Sequence, residues 1–481
     1  MNREFLLNII FLLFINLLIK PFYIFGIELA VQNRVEAGAY GLYFALFNLT
    51  LLFQIVNDLG IQYFNNRSIA QHNHLLDKYF PKILFLKGLL GIVYVVVILL
   101  VAWMWGYRLS VYPLLLPIVF NQFLNALILF LRSNISGLAM YRLDSILSVL
   151  DRLLLILICS VLLWLHPFGE KFKIEWFVYA QTISLFATAT LAFWVIKGKI
   201  ARFQLRFQPA FIRVLLKQSF PYAMAVFLMA AYTRLDGVLV ERLLPSGKIE
   251  ADRYAAAYRL LDAASMIGFL FAGLLLPMFA RMLKEKQPLT SLVQFSFQLI
   301  WVGGFALAAA VIAFRVEIMT LLYHNGDSYS GNIMGFLMLG FLAMCVIYIF
   351  GPLLTANGNL RQMNRIFIVG FLLNISLNLL FIPSYKALGA AAVACITQFF
   401  VAIAEVILAK KEIKLSFDRQ WVIRITGFSV LSALTALLIY QNSALHWHFG
   451  FLLIVGICLL WAFILRLLQW KSLRGVFADT K

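Results

Sequence analysis

The sequence predicts an all-α, polytopic membrane protein of about fourteen transmembrane helices, and three observations carry that expectation. The chain of 481 residues is 63% hydrophobic and only 13% charged, whereas soluble domains run at roughly 45–50% apolar and 25% charged. Apolar runs of about 20 residues, the length that crosses the hydrocarbon core of a bilayer, recur from end to end. Between them, Lys and Arg gather in alternate loops, the pattern of a multi-pass protein.

The runs read as spans at 5–33, 38–64, 79–106, 110–131, 144–166, 174–197, 220–243, 254–280, 289–314, 332–356, 364–384, 386–409, 420–440 and 448–469. They are apolar on all sides, which argues against a barrel, whose strands alternate over about ten residues. Several exceed the minimum length and leave room for tilt or kinks. Met1-Asn2-Arg3-Glu4 opens a run too long for a signal-peptide core and without a small-residue cleavage site, so the first span is expected to be retained.

A formal net charge of +19 would suggest nucleic acid in a soluble chain, but here its placement gives a topological explanation. Most basic residues fall on the side of Arg3, the 2–3, 4–5, 6–7, 8–9, 10–11 and 12–13 loops and the C-terminal tail. The opposite side holds Arg34, Arg108, Lys171, Lys173, Arg242, Lys248, Arg253, Arg315 and Lys386. Both termini are therefore expected in the cytoplasm. Cys159, Cys345, Cys395 and Cys458 lie inside apolar runs, with neither a disulfide nor a metal spacing, and read as small packing residues. No GxxxxGK[ST] phosphate loop occurs. The short outer loops carry no catalytic constellation, so no enzyme activity, cofactor or metal is expected.

Basic segments at Lys197–Arg213 and Lys410–Arg424 divide the spans six, six and two. This gives an N-terminal lobe at 1–200, a C-terminal lobe at 201–415, and a final pair with its tail at 416–481. Tyr40 and Arg67, 27 residues apart, recur as Tyr254 and Arg281; Asn134 and Arg142, eight apart, recur as Asn357 and Arg365. These pairs suggest the internal repeat from which many transporters are built, with the substrate site at the repeat interface beside Gly- or Pro-interrupted helices. Lys20-Pro21 in the first span and Pro277 in the eighth fit that pattern, and ordinary proline kinks are the simpler alternative.

The stretch Lys217-Gln-Ser-Phe-Pro221, then Tyr232-Thr-Arg-Leu-Asp236, Asp252-Arg-Tyr254, Tyr258-Arg-Leu260 and Pro277 resembles the start of the second half of polysaccharide exporters. Gly38-Ala-Tyr-Gly41 and Asn57-Asp-Leu-Gly60, both within the span at 38–64, look similar too. These exporters belong to the multidrug/oligosaccharidyl-lipid/polysaccharide (MOP) exporter superfamily, which includes O-antigen and lipid II flippases. The resemblance implies two six-helix lobes in a V-shaped, MATE-like architecture in the bacterial inner membrane. It also implies alternating access, with an undecaprenyl-diphosphate-linked oligosaccharide as cargo for polysaccharide or lipopolysaccharide biosynthesis. The pair of spans 13 and 14 is similar to that of lipid II flippases, where the extra helices border a groove for the lipid tail.

Lys20, Lys87, Arg152, Arg234 and Arg259 remain inside the spans. Unpaired at mid-membrane, each costs about 2.5–3.5 kcal/mol on insertion scales, so each must face protein, water or the interface. A lipid diphosphate needs cations along its path, a mobile point charge from Lys or a planar fork from Arg. Lys20, Arg234 and Arg259 are the leading candidates, because the resemblance places its central cationic cavity among spans 1, 7 and 8. Arg259 and Asp262, three apart, could instead neutralise each other, while Arg234 and Asp236, two apart, face different ways. Lys87 and Arg152, beside Asp151, lie nearer the cytoplasmic ends, where long side chains snorkel.

Glu28, Asp58 and Asp236, with Asp262, read as gate or ion-pair groups or as sites for a coupling H+ or Na+. Glu405 is expected only to meet the basic loop after span 12. Asn48, Gln54, Asn57, Gln122, Asn125, Asn374 and Asn378 read as interhelical hydrogen-bonding residues before sugar contacts, and His446-x-His448 has too few partners for a metal site. Alternatives left open are a lipid II flippase, a multidrug or cation antiporter of the same superfamily and, further off, an integral-membrane glycosyltransferase or polymerase. Such a polymerase or glycosyltransferase is also a candidate partner, beside the lipid-linked cargo and membrane lipids.

Overall fold

The computed structural model describes residues 15, 16, 18–61, 65, 76–138, 140–165, 171–200, 209–441 and 446–468. All regular elements among them are helical. Residues 18–34 run as one helix through a π-helical turn at Tyr23–Glu28 into α1 (Leu29–Arg34). Then come α2 (Ala39–Leu52), α3 (Ile55–Asp58), α4 (Leu76–Met104), α5 (Tyr112–Gly137), α6 (Tyr141–Ser160) and α7 (Ile174–Lys197). The chain continues through α8 (Pro209–Leu243), α9 (Gly247–Lys284), α10 (Thr290–Ala313), α11 (Arg315–Leu322), α12 (Ser328–Ala356) and α13 (Leu360–Ile413). The last two are α14 (Arg419–Gln441) and α15 (Trp447–Ile464).

Eleven helices among the described residues are long and apolar enough to cross a membrane. One of them, α13, is 54 residues long and is broken at Lys386 (φ 53°, ψ −136°). Its two limbs correspond to the expected spans 364–384 and 386–409. The first expected span lies partly outside the described residues. The second is divided: α2 stops at Phe53, α3 adds one turn, and Leu59 (φ 48°) and Gly60 (φ 76°) then take left-handed conformations. Gly60 suits that conformation and also a close approach, since a β-carbon there would lie 2.8 Å from the Ser219 carbonyl oxygen of α8.

The outer faces explain why these helices need lipid. Trp103 (71% exposed), Phe269 (69%) and Leu380 (69%) belong to a long series of bare large apolar side chains. In water such a surface drives association, whereas a bilayer solvates it. The backbone polar groups are meanwhile satisfied within each helix, as hydrocarbon demands. Where a helix starts at the interface, a cap does the same: Asp327 accepts hydrogen bonds from the Ser330 amide and hydroxyl, both at 2.7 Å, at the start of α12.

The chain divides into two compact units, with the boundary between Ala255 and Ala256 inside α9. In the first, α5 packs on α7, α2 on α8, and α3 on α4. Phe80 and Phe130 stack at 5.5 Å within a core that includes Ile83, Leu131, Ile135 and Ile196. In the second unit, α12 packs along α13 and against α10, while α14 and α15 pair with each other and lie on α10. That last contact is a buried seam of Ala306, Ala310, Phe314, Phe428, Ile454 and Cys458. The expected final helix pair is thus anchored to the second unit through α10. The lobe limits expected at 200/201 and 415/416 describe a repeat, a different kind of division from these packed units.

Candidate functional site

Polar side chains inside an apolar helix report where the bilayer rule is broken, and the first unit breaks it around the π-helical turn. A π turn bonds residues i and i+5, which stacks Tyr23 and Glu28. The Tyr23 hydroxyl donates to Glu28 Oε1 at 2.8 Å, and both residues are buried. The Arg152 guanidinium of α6 sits 4.7 Å from the Tyr23 ring centroid, a cation–π distance. Its nearest carboxylate oxygen, Asp151 Oδ2, is 3.6 Å away, beyond the usual 2.7–2.9 Å of a charge-assisted hydrogen bond.

Half-buried Lys20, one turn before Tyr23, lies within electrostatic reach of Arg152, Asp151 and Arg132. Arg132 is held by Asp144 at 2.8 Å. Lys20 lies three residues before Tyr23, on the helix face whose aromatic ring Arg152 meets, and the Arg152 side chain remains 38% exposed. Arg152 is thus a partly exposed, loosely paired cation within the spanning region, with half-buried Lys20 one turn along the helix that it packs on. From sequence, Arg152 reads as a snorkelling residue near the cytoplasmic end of its span, and Tyr23 carries no signal of its own. In an α-helix, residues five apart lie on different faces, so only the π turn reveals this grouping.

Lys87 behaves oppositely to its neighbour class. Its side chain is 2% exposed; the ammonium donates to Asp58 Oδ1 and, at 3.0 Å, to the Asn57 carbonyl oxygen. Rather than snorkelling to an interface, it binds the end of α3 where the helix breaks. Asp58, expected as a gate or ion-pair group, is thus joined to α4.

The α8–α9 hairpin carries the segment on which the family resemblance rests. Half-buried Arg234 and buried Asp236 lie on α8, and Asp236 accepts from the Tyr254 hydroxyl of α9 at 3.3 Å. Asp252 accepts from Gln32 Nε2 at 2.7 Å, which joins α1 to the start of α9. Gly41 allows α2 and α9 to touch backbone to backbone, because a β-carbon there would lie 2.0 Å from the Lys248 carbonyl oxygen. The motif residues are therefore packing residues as much as polar ones.

In the second unit, Arg259 Nη1 lies 3.7 Å from Asp262 Oδ2 on the next turn of α9, and Arg259 is 9% exposed. Among the sugar-binding alternatives, Asn378 donates to Asn374 at 3.0 Å within α13, and both are fully buried. Asn121 donates to the Val178 carbonyl oxygen at 3.1 Å, tying α5 to α7. The four cysteines are buried and unbridged. Among the described residues, no group of three His, Cys, Asp or Glu is placed to hold a metal ion.

Solved structures share this architecture. A lipid II flippase MurJ in an inward-closed conformation matches with TM-score 0.64 at 15% identity, over 90% of this chain and 98% of that one. An inward-facing multidrug resistance MATE family transporter of the MOP superfamily matches with TM-score 0.63 at 13% identity, over 81% and 94%. A MOP superfamily transporter from Pyrococcus furiosus matches with TM-score 0.61 at 13% identity, over 85% and 95%. No curated protein matches the chain by sequence. A family model described as polysaccharide biosynthesis protein matches residues 5–283, more than half of the 481 residues. The chain therefore belongs to the polysaccharide biosynthesis protein family.

Proposed function

We propose that this protein is a flippase that moves a polyprenyl-diphosphate-linked oligosaccharide from the cytoplasmic to the periplasmic leaflet of the bacterial inner membrane. The observation that carries this reading is partly exposed Arg152, with Lys20 on the helix face that it meets, in a spanning region of a polysaccharide biosynthesis family member. A diphosphate brings several negative charges into a medium that cannot solvate them. Arg152 offers a planar fork with only a long contact to Asp151, so phosphate oxygens can take its donors without first breaking a short bond. Lys20 supplies a second, mobile charge one helical turn from the aromatic contact. Arg234 and Arg259 are the further cargo contacts, and Glu28, Asp58, Asp236 and Asp262 exchange partners as access alternates.

The polyprenyl carrier is undecaprenyl and the glycan an O-antigen-type repeat unit. Both termini lie in the cytoplasm, and the helices act as lobes 1–200 and 201–415 with 416–481 appended. Transport draws on a gradient of H+ or Na+, and the product passes to a polysaccharide polymerase or glycosyltransferase. Support comes from the family match and from the fold shared with a lipid II flippase.

The test is flipping of a fluorescent lipid-diphosphate oligosaccharide by the full-length protein in proteoliposomes. Stimulated flipping that is lost with Lys20→Ala and Arg152→Ala is the expected result. Export of cationic drugs without lipid flipping would replace the reading by a multidrug antiporter, and a strict preference for lipid II would move the cargo to cell-wall precursor.

A further inference from the structure

A carboxylate placed in a membrane-spanning helix ordinarily finds a basic partner, a set of donors or water. Among the described residues, Glu405 has neither a basic partner nor a hydrogen-bond donor. It lies on the second limb of α13, is 0% exposed, and neither carboxyl oxygen has a hydrogen-bond partner among the described residues. The basic cluster at Lys410 and Lys411 that the sequence suggested as its partner is exposed at the helix end. Glu405 is eight residues short of Ile413, about 12 Å along the axis.

What faces it is backbone. A β-carbon built on Gly351 of α12 would lie 3.6 and 3.7 Å from the two carboxyl oxygens, so the absent side chain leaves the acid against the helix itself. Cys395 packs on Gly340 ten residues earlier on α13 and eleven earlier on α12. α12 and the second limb of α13 therefore run side by side in the same direction, with Glu405 sealed in the seam. Pro352 follows Gly351; it lacks an N–H and leaves the helix weak at that turn.

The titratable groups on the packed elements point elsewhere. On α12, the Tyr329 hydroxyl accepts from the Leu388 amide, Cys345 Sγ lies against Gly304 and the Tyr348 ring against Gly268. Along α13, Arg361, Arg365, Tyr385, Lys386, Lys410, Lys411 and Glu412 are exposed, and Cys395 meets Gly340. α10 has no titratable residue. Among the described residues no cation offsets a charge on Glu405, and an ionised carboxylate without a partner in that seam is strongly disfavoured.

We propose that Glu405 is a proton-binding site, a neutral carboxylic acid in this conformation that gives up its proton only when the α12–α13 seam opens to water. In the release step the O–H bond of the acid breaks, and the proton passes to an entering water molecule. The carboxylate then stabilises the open, hydrated seam, and rebinding of a proton permits closure. Protonation and opening are thereby linked at one group. The site itself is independent of cargo, while its link to transport rests on the flippase reading.

Infrared difference spectroscopy on the full-length protein in lipid vesicles at neutral pH tests it. The native chain minus Glu405→Gln is expected to show the C=O stretch of a neutral carboxylic acid, equivalent to one group per chain. Glu405→Asp should retain an acid band at a shifted frequency, which separates loss of the group from loss of the fold. Ionised-carboxylate bands without an acid band would overturn the proposal. In proteoliposomes with an imposed pH gradient, Glu405→Gln is expected to flatten the gradient dependence of flipping. An acid band in a protein that flips no lipid-diphosphate cargo would leave the proton site standing and remove the flippase reading. Flipping with an ionised Glu405 would do the reverse.

Discussion

Arg152 and Lys87 are both basic residues in apolar helices, and their surroundings send them to opposite uses. Lys87 is enclosed, with two oxygen partners at the end of α3; Arg152 is half-open, with a ring beneath it and a long contact to Asp151. Hydrogen bonds to charged groups contribute about 1.5–3 kcal/mol. Arg152→Gln should therefore slow flipping about 10- to 100-fold while the protein's melting temperature stays near that of the parent. Lys87→Met should do the opposite. Breaking a buried ion pair costs about 3–5 kcal/mol, and a loss nearer 1–3 is expected here because Asp58 retains some solvent contact, at 20% exposure. Denaturation of the single variants and of Lys87→Met with Asp58→Asn checks it: the double variant should recover much of the loss. Sequence could locate both cations but could not tell them apart, because depth along a span says nothing about which neighbour closes over a side chain.

Elements show the same division between what hydropathy dictates and what packing adds. Long apolar runs make the spans legible from α4 onward, and even the merged α13 resolves into two limbs at Lys386. The π turn at Tyr23–Glu28 and the break at Leu59–Gly60 were not legible. Apolar composition tolerates either geometry, and the deciding contacts come from α6, α4 and α8, distant in the chain. The Gly38-Ala-Tyr-Gly41 motif was visible as a motif, yet its physical reason is the α2–α9 approach at Gly41. Gly41→Leu has no space for its β-carbon and should cost about 1–3 kcal/mol through forced separation of those helices. A lowered melting temperature would register it, and an unchanged value would deny the close approach. Asp327→Ala removes the α12 cap and should cost about 1 kcal/mol, seen as faster amide exchange at Ser330 and its neighbours.

At the scale of the whole molecule, lipid is the solvent that reconciles the parts. Apolar surface faces outward, backbone groups are satisfied within helices, and the polar side chains that remain are drawn into a few internal groupings. Composition alone made the first two statements legible. The third needed coordinates, since Lys20, Arg152 and Tyr23 come from distant or off-register positions, and Glu405 looked in sequence like a neighbour of Lys410 and Lys411. The division between the two compact units falls within α9, at a point that no composition shift marks. The most direct measurement of the central claim is the flipping rate of a lipid-diphosphate oligosaccharide in proteoliposomes, compared between the native chain and Lys20→Ala with Arg152→Ala. Stimulated flipping by the native chain, reduced at least about 10-fold in the double variant, is the predicted result. Equal rates in the two proteins, with both folded, would contradict it.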